Sequence, residues 1–282
     1  IQYIQRMYQP IRDLAEKYNI MQAAMASAER IFALLDTPET LKNPARPKTA
    51  EGFAGEVEFK NVWLSYRADE PVLKDISFRV RAGEKVALVG ATGGGKTSII
   101  SALCRFYDVE RGAILVDGID IREWNKQELR RHLGLVLQDV FLFSGDIATN
   151  ITLGDTRIGE AQMREAARRA HIAPFIEQLP RRYHEEVQER GSTLSQGQRQ
   201  LLSFARALAF DPKILVLDEA TSSVDTQTEA LVQEALDELL KNRTALIIAH
   251  RLSTIKHADR ILVVHKGEIW EEGGHEALLA KG

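Results

Sequence analysis

The residues best suited to chemistry form one glycine-rich segment, Gly90-Ala-Thr-Gly-Gly-Gly-Lys-Thr97. It fits the spacing G-x-x-x-x-G-K-[ST], in which a loop wraps a polyphosphate. Glycines let such a loop turn tightly and aim its N–H groups inward, and the positive end of a following helix favours the same anion. Lys96 is suited to reach the β- and γ-phosphates, and the Thr97 hydroxyl is suited to hold Mg²⁺. The predicted nucleotide contacts of this segment are Gly90, Ala91, Thr92, Gly93, Gly94, Gly95, Lys96, Thr97 and Ser98.

The flanking sequence supports this interpretation. Residues 85–89 (KVALV) are typical of a buried strand, and residues 98–106 (SIISALCRF) are typical of a helix. The alternative is a glycine-rich strand-to-helix turn that carries a lysine by chance. The strand–loop–helix order favours the phosphate loop.

Two carboxylates follow another apolar strand, in Ile214-Leu-Val-Leu-Asp218-Glu219. Asp218 is suited to hold Mg²⁺, usually through water, because Mg²⁺ keeps most of its hydration shell. Glu219 is suited to polarise an attacking water, and general-base help of this kind is worth about 10²–10⁴ in rate. The alternative is a strand end capped by solvated acids.

Three further residues follow predicted strands. Gln138 can bond a metal ligand or a water, and His250 can donate a hydrogen bond to a γ-phosphate. Tyr66 lies where its ring could stack on a base, a contact worth about 1–3 kcal/mol. A lone glutamine or histidine after a strand is usually structural, and an ordinary sheet tyrosine is the alternative for Tyr66.

The segment Leu194-Ser-Gln-Gly-Gln198 precedes an apolar helical run, residues 201–210. Ser195 and Gln198 have the spacing of a capping box at a helix start. The same physics allows a second anion site, built from Ser195, the N–H of Gly197 and the helix dipole. A well-capped helix and a second phosphate site both remain open at this point.

The elements that must position these groups can be predicted from hydrophobic patterning. Residues 56–66 and 72–80 alternate polar and apolar, which predicts a half-exposed antiparallel sheet. Apolar strands at 85–90, 134–138, 214–218 and 244–250, separated by helical segments such as 158–176 and 226–241, predict an α/β fold with a parallel sheet. In such a sheet ligands bind beyond the carboxyl ends of the strands, and all four strands end in groups suited to phosphate, metal or water.

Composition narrows the class of protein. A length of 282 residues predicts one or two domains, and an apolar content of 44% is enough for a full core. The net charge of −3 gives no support to a nucleic-acid surface. A single cysteine, Cys104, suits a reducing cytosol. No apolar run approaches the roughly 20 residues that span a bilayer, so we expect a soluble fragment, with Ile1 as a fragment boundary.

Two segments precede the predicted α/β region. Residues 1–36 have apolar side chains at three- and four-residue spacings, which predicts a helix with Pro10 as the place where it could kink. Residues 37–54 contain three prolines and are predicted to be a linker. The main domain is then expected to span residues 55–282.

The order of these motifs resembles an ABC-type nucleotide-binding domain over essentially residues 55–282. The matching features are Tyr66, GATGGGKT, Gln138, LSQGQ, ILVLDE, SSVD and His250. The resemblance implies a P-loop NTPase core with an antiparallel β subdomain and an inserted helical subdomain at about 140–205. It also implies ATP and Mg²⁺ as ligands, with Glu219, His250 and Gln138 catalytic, Thr97, Gln138 and Asp218 at the metal, and Ser195, Gly197 and Gln198 at nucleotide.

Residues 187–191 (VQERG), residues 139–151 and the N-terminal helix resemble the exporter class of this family. There the helix is the cytoplasmic extension of the last transmembrane helix. The implied partners are a second nucleotide-binding domain, identical or not, and a transmembrane domain of the same full-length chain, at the cytoplasmic face of the cell membrane. No nucleic-acid partner is expected. Gln196 departs from the usual LSGGQ, and Gln188 stands where a glycine is common in the family.

Two alternatives within the family remain. A soluble ABC ATPase acting on DNA or ribosomes would be expected to carry a coiled-coil insertion, a basic surface or tandem cassettes, and none is visible. An importer ATPase would be a separate subunit, which VQERG and the N-terminal helix do not favour.

Overall fold

The computed structural model describes residues 2–38, 41–50, 52–67, 70–188, 191–218, 226–249 and 255–280. Glu219 and His250, predicted to be catalytic, lie outside the described residues, as do SSVD (222–225) and two residues of VQERG (189 and 190). The chain divides into two compact units, residues 1–42 and residues 43–282.

The first unit is dominated by one helix, α1, at Gln2–Leu35, with Pro10 inside it. The predicted N-terminal helix is therefore confirmed. Its apolar side chains are exposed, among them Ile11, Leu14, Tyr18, Met21, Met25, Phe32 and Leu35. Among the described helices, none is both long enough and apolar enough to pass through a bilayer.

The second unit begins with an antiparallel sheet in the strand order β2-β1-β4-β5. Its strands are β1 at Val57–Ser65, β2 at Pro71–Val80, β4 at Arg111–Val116 and β5 at Ile119–Asp120. The alternating pattern of β1 and β2 buries one face, where Phe59 and Phe78 stack with ring centroids 4.5 Å apart. The predicted antiparallel β region is confirmed.

A six-stranded sheet in the order β12-β11-β3-β10-β9-β6 forms the centre of the unit. Its strands are β3 at Lys85–Val89, β6 at Leu133–Val136, β9 at Ile214–Asp218, β10 at Thr244–Ile248, β11 at Arg260–His265 and β12 at Glu268–Gly273. All neighbours pair in parallel except β11 and β12, which are antiparallel. The four predicted parallel strands are confirmed as neighbours, while β11 and β12 were not predicted.

Helices cover both faces of this sheet. Their bounds are α2 at Lys96–Leu103, α3 at Lys126–His132, α4 at Ile147–Thr152, α5 at Glu160–Arg169, α6 at Ala173–Gln178, α7 at Gln196–Phe210, α8 at Thr226–Leu240 and α9 at His275–Leu279. A 3₁₀ turn lies at Arg182–His184, and β7 (Gly145–Asp146) pairs with β8 (Glu186–Val187).

The helical segment predicted at 158–176 is helical, but it is divided into α5 and α6. His171 adopts a left-handed backbone with φ of 57°, which ends α5, and Pro174 lies in the first turn of α6. Proline fits the first turn of a helix, whereas inside a helix it removes a hydrogen bond and clashes with the preceding turn, which favours a break before Pro174. The predicted helix at 98–106 is also displaced, since α2 begins at Lys96 and ends at Leu103.

The two faces of the parallel sheet belong to different hydrophobic clusters. Leu215 and Leu217 pack with α4, α5, α7 and α8, whereas Val216 packs with α2, α3 and the antiparallel sheet. Ala245 and Leu246 divide between the two clusters in the same way. Successive side chains of a strand point to opposite faces, so a strand buried on both sides has to be apolar throughout.

Residues 43–56, which include the second half of the predicted linker, are hydrogen-bonded within the larger unit. The Asn43 side chain accepts from the N–H of Lys126 at 2.8 Å, and Lys48 pairs with Glu123 at 2.8 Å. The Asp117 carboxylate accepts hydrogen bonds from three successive N–H groups, those of residues 54–56. These contacts fix the approach of the chain to β1.

Candidate functional site

The glycine-rich loop connects β3 to α2. Gly90 has φ of 147°, and a Cβ built there would lie 2.0 Å from the carbonyl oxygen of Val264. Gly95 is the N-cap residue of α2, with φ of 106°. A side chain at either position would be strained, so the backbone path of the loop requires glycine at both ends.

The first turn of α2 has no side-chain cap. The first four N–H groups of a helix have no partner within the helix, and they usually bond to a capping side chain, to water or to a ligand. Here Gly94 donates to the Ala91 carbonyl at 3.0 Å, which closes the loop on itself. The start of α2 is therefore left for an anion.

Lys96, the first residue of α2, is buried, with an exposed fraction of 7%. Its Nζ donates to the carbonyl oxygens of Gly90 at 2.8 Å and Ala91 at 2.9 Å, so it lies across the loop. Burial lowers the pKa of Lys96, and the nearby negative charge of Asp218 partly opposes that shift. The positive charge thus lies between the glycine loop and the carboxylate at the end of β9.

A cleft of about 560 Å³ lies beyond the ends of the parallel strands, and we call it the phosphate-loop cleft. It brings together the glycine loop, Gln138 and Asp218, which are far apart in the sequence. Its described lining residues are Val72, Thr92, Gly93, Gly95, Lys96, Thr97, Ser98, Gln138, Asp218 and Ile248. The glycine loop, Gln138 and Asp218 meet there because β3, β9 and β6 run parallel in one sheet and their carboxyl ends lie at the same edge.

The donor set in the cleft fits Mg²⁺. Thr97, Gln138 and Asp218 supply a hydroxyl, an amide and one carboxylate. Magnesium binds few protein oxygens and takes its remaining ligands from water and substrate phosphate. Within the part of the chain that the structure describes, no group of three or more His, Cys, Asp or Glu side chains could hold a metal ion.

Tyr66 follows the end of β1 and is joined to the phosphate loop through Ser98. Its hydroxyl lies 3.0 Å from the hydroxyl of Ser98, a buried residue in the first turn of α2. Its ring is 45% exposed and makes an edge contact with Tyr107. Sequence reasoning singled out Tyr66 and missed Tyr107.

The start of α7 is the predicted capping box. Ser195 Oγ accepts from the N–H of Gln198 at 3.2 Å, and the Gln198 side chain accepts from the N–H of Ser195 at 2.9 Å. Arg199 donates to the Leu194 carbonyl at 2.7 Å. None of residues 194–198 is among the described lining of the phosphate-loop cleft.

A second cavity of about 290 Å³ adjoins the first and shares Gln138 and Asp218 with it. The start of α7 forms its other wall, through Gln196, Arg199 and Gln200. The Gln200 side-chain oxygen is buried and has no hydrogen-bond partner among the described residues. The residue that departs from the usual family motif, Gln196, therefore lies beside the cavity that contains Gln138.

Arg206 is another residue that sequence reasoning missed. Its guanidinium donates to the carbonyls of Asn150 at 2.8 Å and Phe141 at 3.2 Å. These contacts tie the middle of α7 to the segment 139–151 that follows Gln138. Burial lowers the pKa of Arg206. In the sequence, the signal that could have found Arg206 is that it is a single charged residue inside the apolar run 201–210.

A family model described as ABC transporter matches residues 73–222, more than half of the chain. A probable multidrug resistance ABC transporter ATP-binding/permease protein of Bacillus subtilis is 50% identical over 99% of this chain and 41% of its own length. A fatty acid ABC transporter ATP-binding/permease protein of Mycobacterium bovis is 46% identical over 100% of this chain and 44% of its own length.

A solved structure, that of a bacterial Atm1-family ABC exporter with ATP bound, has a TM-score of 0.82 and 39% sequence identity. The structural match covers 99% of this chain and 49% of the exporter chain. The chain therefore spans about half the length of the relatives it matches.

Proposed function

The chain belongs to the ABC transporter family, with exporter-type relatives, and from this membership we propose that it binds and hydrolyses ATP to power export across a membrane. The observation that carries the proposal is the phosphate-loop cleft, where a glycine loop, a buried lysine, a carboxylate and an amide converge. The family match and the structural similarity agree with this chemistry. The residues that line the cleft are the ones that we propose bind the nucleotide.

The glycine loop and the start of α2 bind the phosphates. N–H groups of the first turn of α2, which lack a side-chain cap, face the negative charge. Lys96 exchanges its two carbonyl acceptors for oxygens of the β- and γ-phosphates. The ammonium then faces anionic phosphate oxygens in place of neutral carbonyl oxygens, so the attraction between opposite charges favours the bound state.

Thr97, Gln138 and Asp218 would hold Mg²⁺, which would neutralise phosphate charge. The charge of Asp218 also favours the protonated form of Lys96, so the carboxylate would face both cations. Gln138 is neutral and can leave the site at low electrostatic cost.

Glu219 acts as the general base in this proposal. It takes a proton from the attacking water as the oxygen bonds to the γ-phosphorus and the bond to the β-phosphate oxygen breaks, which gives ADP and phosphate. His250 donates a hydrogen bond to the γ-phosphate. The support is positional for Glu219, which directly follows the last residue of β9, and rests on the family resemblance for His250.

A second nucleotide-binding domain completes the site. None of residues 194–198, all of which the structure describes, lines the phosphate-loop cleft, and Gln196 lines the adjoining cavity instead, which supports two separate phosphate-binding elements in one chain. A head-to-tail pair would bring the segment 194–198 of one chain over the phosphate loop of the other. We infer that the same full-length protein carries a membrane domain, because the ATP-binding/permease relatives are about twice as long as this chain.

The resulting assembly lies at the cytoplasmic face of the cell membrane, with α1 as the extension of its last membrane helix. A soluble ABC ATPase acting on DNA or ribosomes is not supported, because the relatives reported above are transporters. The net charge of −3 agrees with that outcome.

The test is Glu219→Gln. We expect ATP binding to persist and turnover to fall by about 10²–10⁴, the usual contribution of a general base. An ATP-bound dimer should accumulate in size-exclusion chromatography with Mg-ATP. Glu271→Gln, which changes an exposed acid on β12, is the matched control and should keep normal turnover. Turnover near wild type in Glu219→Gln would remove Glu219 from the catalytic role.

A further inference from the structure

Tyr66, whose position in the sequence predicts that its ring could stack on a base, contacts two residues that lie in α2 or just after it, Ser98 and Tyr107. Its hydroxyl contacts Ser98 in the first turn of α2 at 3.0 Å. Its ring contacts Tyr107, four residues after α2 ends, with ring centroids 4.8 Å apart and planes at 73°. Edge-to-face geometry of this kind is favourable because the positive edge of one ring meets the negative face of the other.

The turn that carries Tyr107 is anchored on both sides. Phe106 donates its backbone N–H to the Ser101 carbonyl at 2.9 Å, and the Arg130 guanidinium lies 5.3 Å from its ring centroid. On the other side, the Asp108 carboxylate accepts from the buried Arg105 guanidinium at 2.9 Å. Tyr107 therefore sits in a turn that is fixed relative to α2.

The two contacts fix different features of Tyr66. The hydrogen bond to Ser98 holds the end of the ring at the helix that carries Lys96 and Thr97, but it leaves rotation about the long axis of the ring free. The contact with Tyr107 restricts that rotation. Because Tyr66 is 45% exposed, much of its side chain faces solvent, and the contact with Tyr107 is the ring contact that can set its plane.

We propose that Tyr107 is a positioning residue for nucleotide binding, which holds the Tyr66 ring in the plane that stacks on adenine. The proposal rests on the proposed ATP binding, together with the sequence-based prediction that Tyr66 stacks on the base. Tyr107 does not touch phosphate in this arrangement, so its effect belongs to the base alone. A preset ring loses less entropy on binding than a freely rotating one.

The experiment compares ATP with inorganic triphosphate, both with Mg²⁺, binding to the 282-residue chain by calorimetry. Tyr107→Leu should weaken ATP binding about two- to tenfold, the range of an aromatic pair contribution, and leave triphosphate binding unchanged. Tyr107→Phe keeps the ring edge and should bind both ligands as the wild type does. In the background of Tyr66→Ala, the further change Tyr107→Leu should cause no additional loss of ATP affinity.

The outcomes separate the inference from the proposed function. If Tyr66→Ala leaves ATP affinity unchanged, the base contact itself fails and Tyr107 loses its role with it. If Tyr66→Ala weakens ATP binding but Tyr107→Leu does not, Tyr107 is not a positioning residue. Equal losses for ATP and triphosphate in Tyr107→Leu, or a failure of this half-exposed position to accept leucine in a folded chain while Tyr107→Phe folds, would mean a structural role and overturn the inference.

Discussion

Two helices of this fold begin at predicted phosphate-binding segments, yet their first turns are finished in opposite ways. At the start of α2, Gly95 has a left-handed backbone and offers no side-chain cap. At the start of α7, Ser195 and Gln198 bond reciprocally in a capping box. The first helix end is left for an outside anion, whereas the second is already partly satisfied by the chain itself.

A helix start in a predicted phosphate-binding segment can therefore be either uncapped, as in α2, or capped by its own side chains, as in α7. The α2 end lies in a cleft with a buried lysine and a carboxylate, so it can hold a polyphosphate within one chain. The α7 end has an exposed Ser195 and a capped first turn, so it folds without a ligand and remains accessible to a second chain. Each prediction below changes one of these ends and uses a matched helix start elsewhere as its control.

The largest expected effect is the loss of ATP affinity when the positive charge at the start of α2 is removed. Lys96→Ala should weaken ATP binding roughly 10- to 100-fold, because hydrogen bonds to charged groups contribute about 1.5–3 kcal/mol. Lys126, the first residue of α3, is equally buried, and Lys126→Ala should leave ATP affinity unchanged. Titration with a fluorescent ATP analogue measures both. An unchanged nucleotide affinity in Lys96→Ala would contradict the phosphate-loop assignment.

The second prediction concerns the glycine that leaves the α2 end uncapped. Gly95→Ala places a Cβ on a residue with φ of 106°, 3.1 Å from a methyl group of Leu73. Gly159, the N-cap of α5, has φ of −72° and open space around its Cβ position, so Gly159→Ala carries only the ordinary loss of N-cap preference. Gly95→Ala should lower the free energy of unfolding by about 1–3 kcal/mol more than Gly159→Ala does. Urea unfolding at constant m-value checks the difference, and equal losses would show that the loop tolerates a side chain.

The smallest effect on stability is expected at the capped end. Ser195→Ala should cost about 0.5–2 kcal/mol of unfolding free energy, the usual value of an N-cap. Asn125 caps α3 by accepting from the N–H groups of Gln127 and Glu128, so Asn125→Ala should cost a similar amount. Ser195→Ala should in addition impair ATP-dependent dimerisation and ATPase activity, which Asn125→Ala should leave intact. If both variants lose stability but keep ATP-dependent dimerisation and ATPase activity, Ser195 is only a helix cap.

Much of the fold was predictable because local patterns and the sheet agree. Residues 85–89 and 214–218 are buried on both faces, which requires continuous apolar runs and makes their strands visible in the sequence. The capping box was visible because Ser195 and Gln198 are three residues apart. The strand β11 (RILVVH) is a short apolar run like its neighbours and could have been predicted, whereas the edge strand β12 (EIWEEG) and the left-handed break at His171 leave weaker local signals.

The amino-acid sequence specifies the chemistry available at each segment: a glycine loop, a lysine, a carboxylate, an amide and a helix-capping serine. Which of these groups share a cleft depends on the tertiary structure. Parallel pairing of β3, β10, β9 and β6 brings the phosphate loop, Gln138 and Asp218 to one edge. The same fold places residues 194–198 outside that cleft and Tyr107 against Tyr66. Local spacing fixes the partners of a helix cap within a few residues, whereas contacts across a sheet depend on strand order.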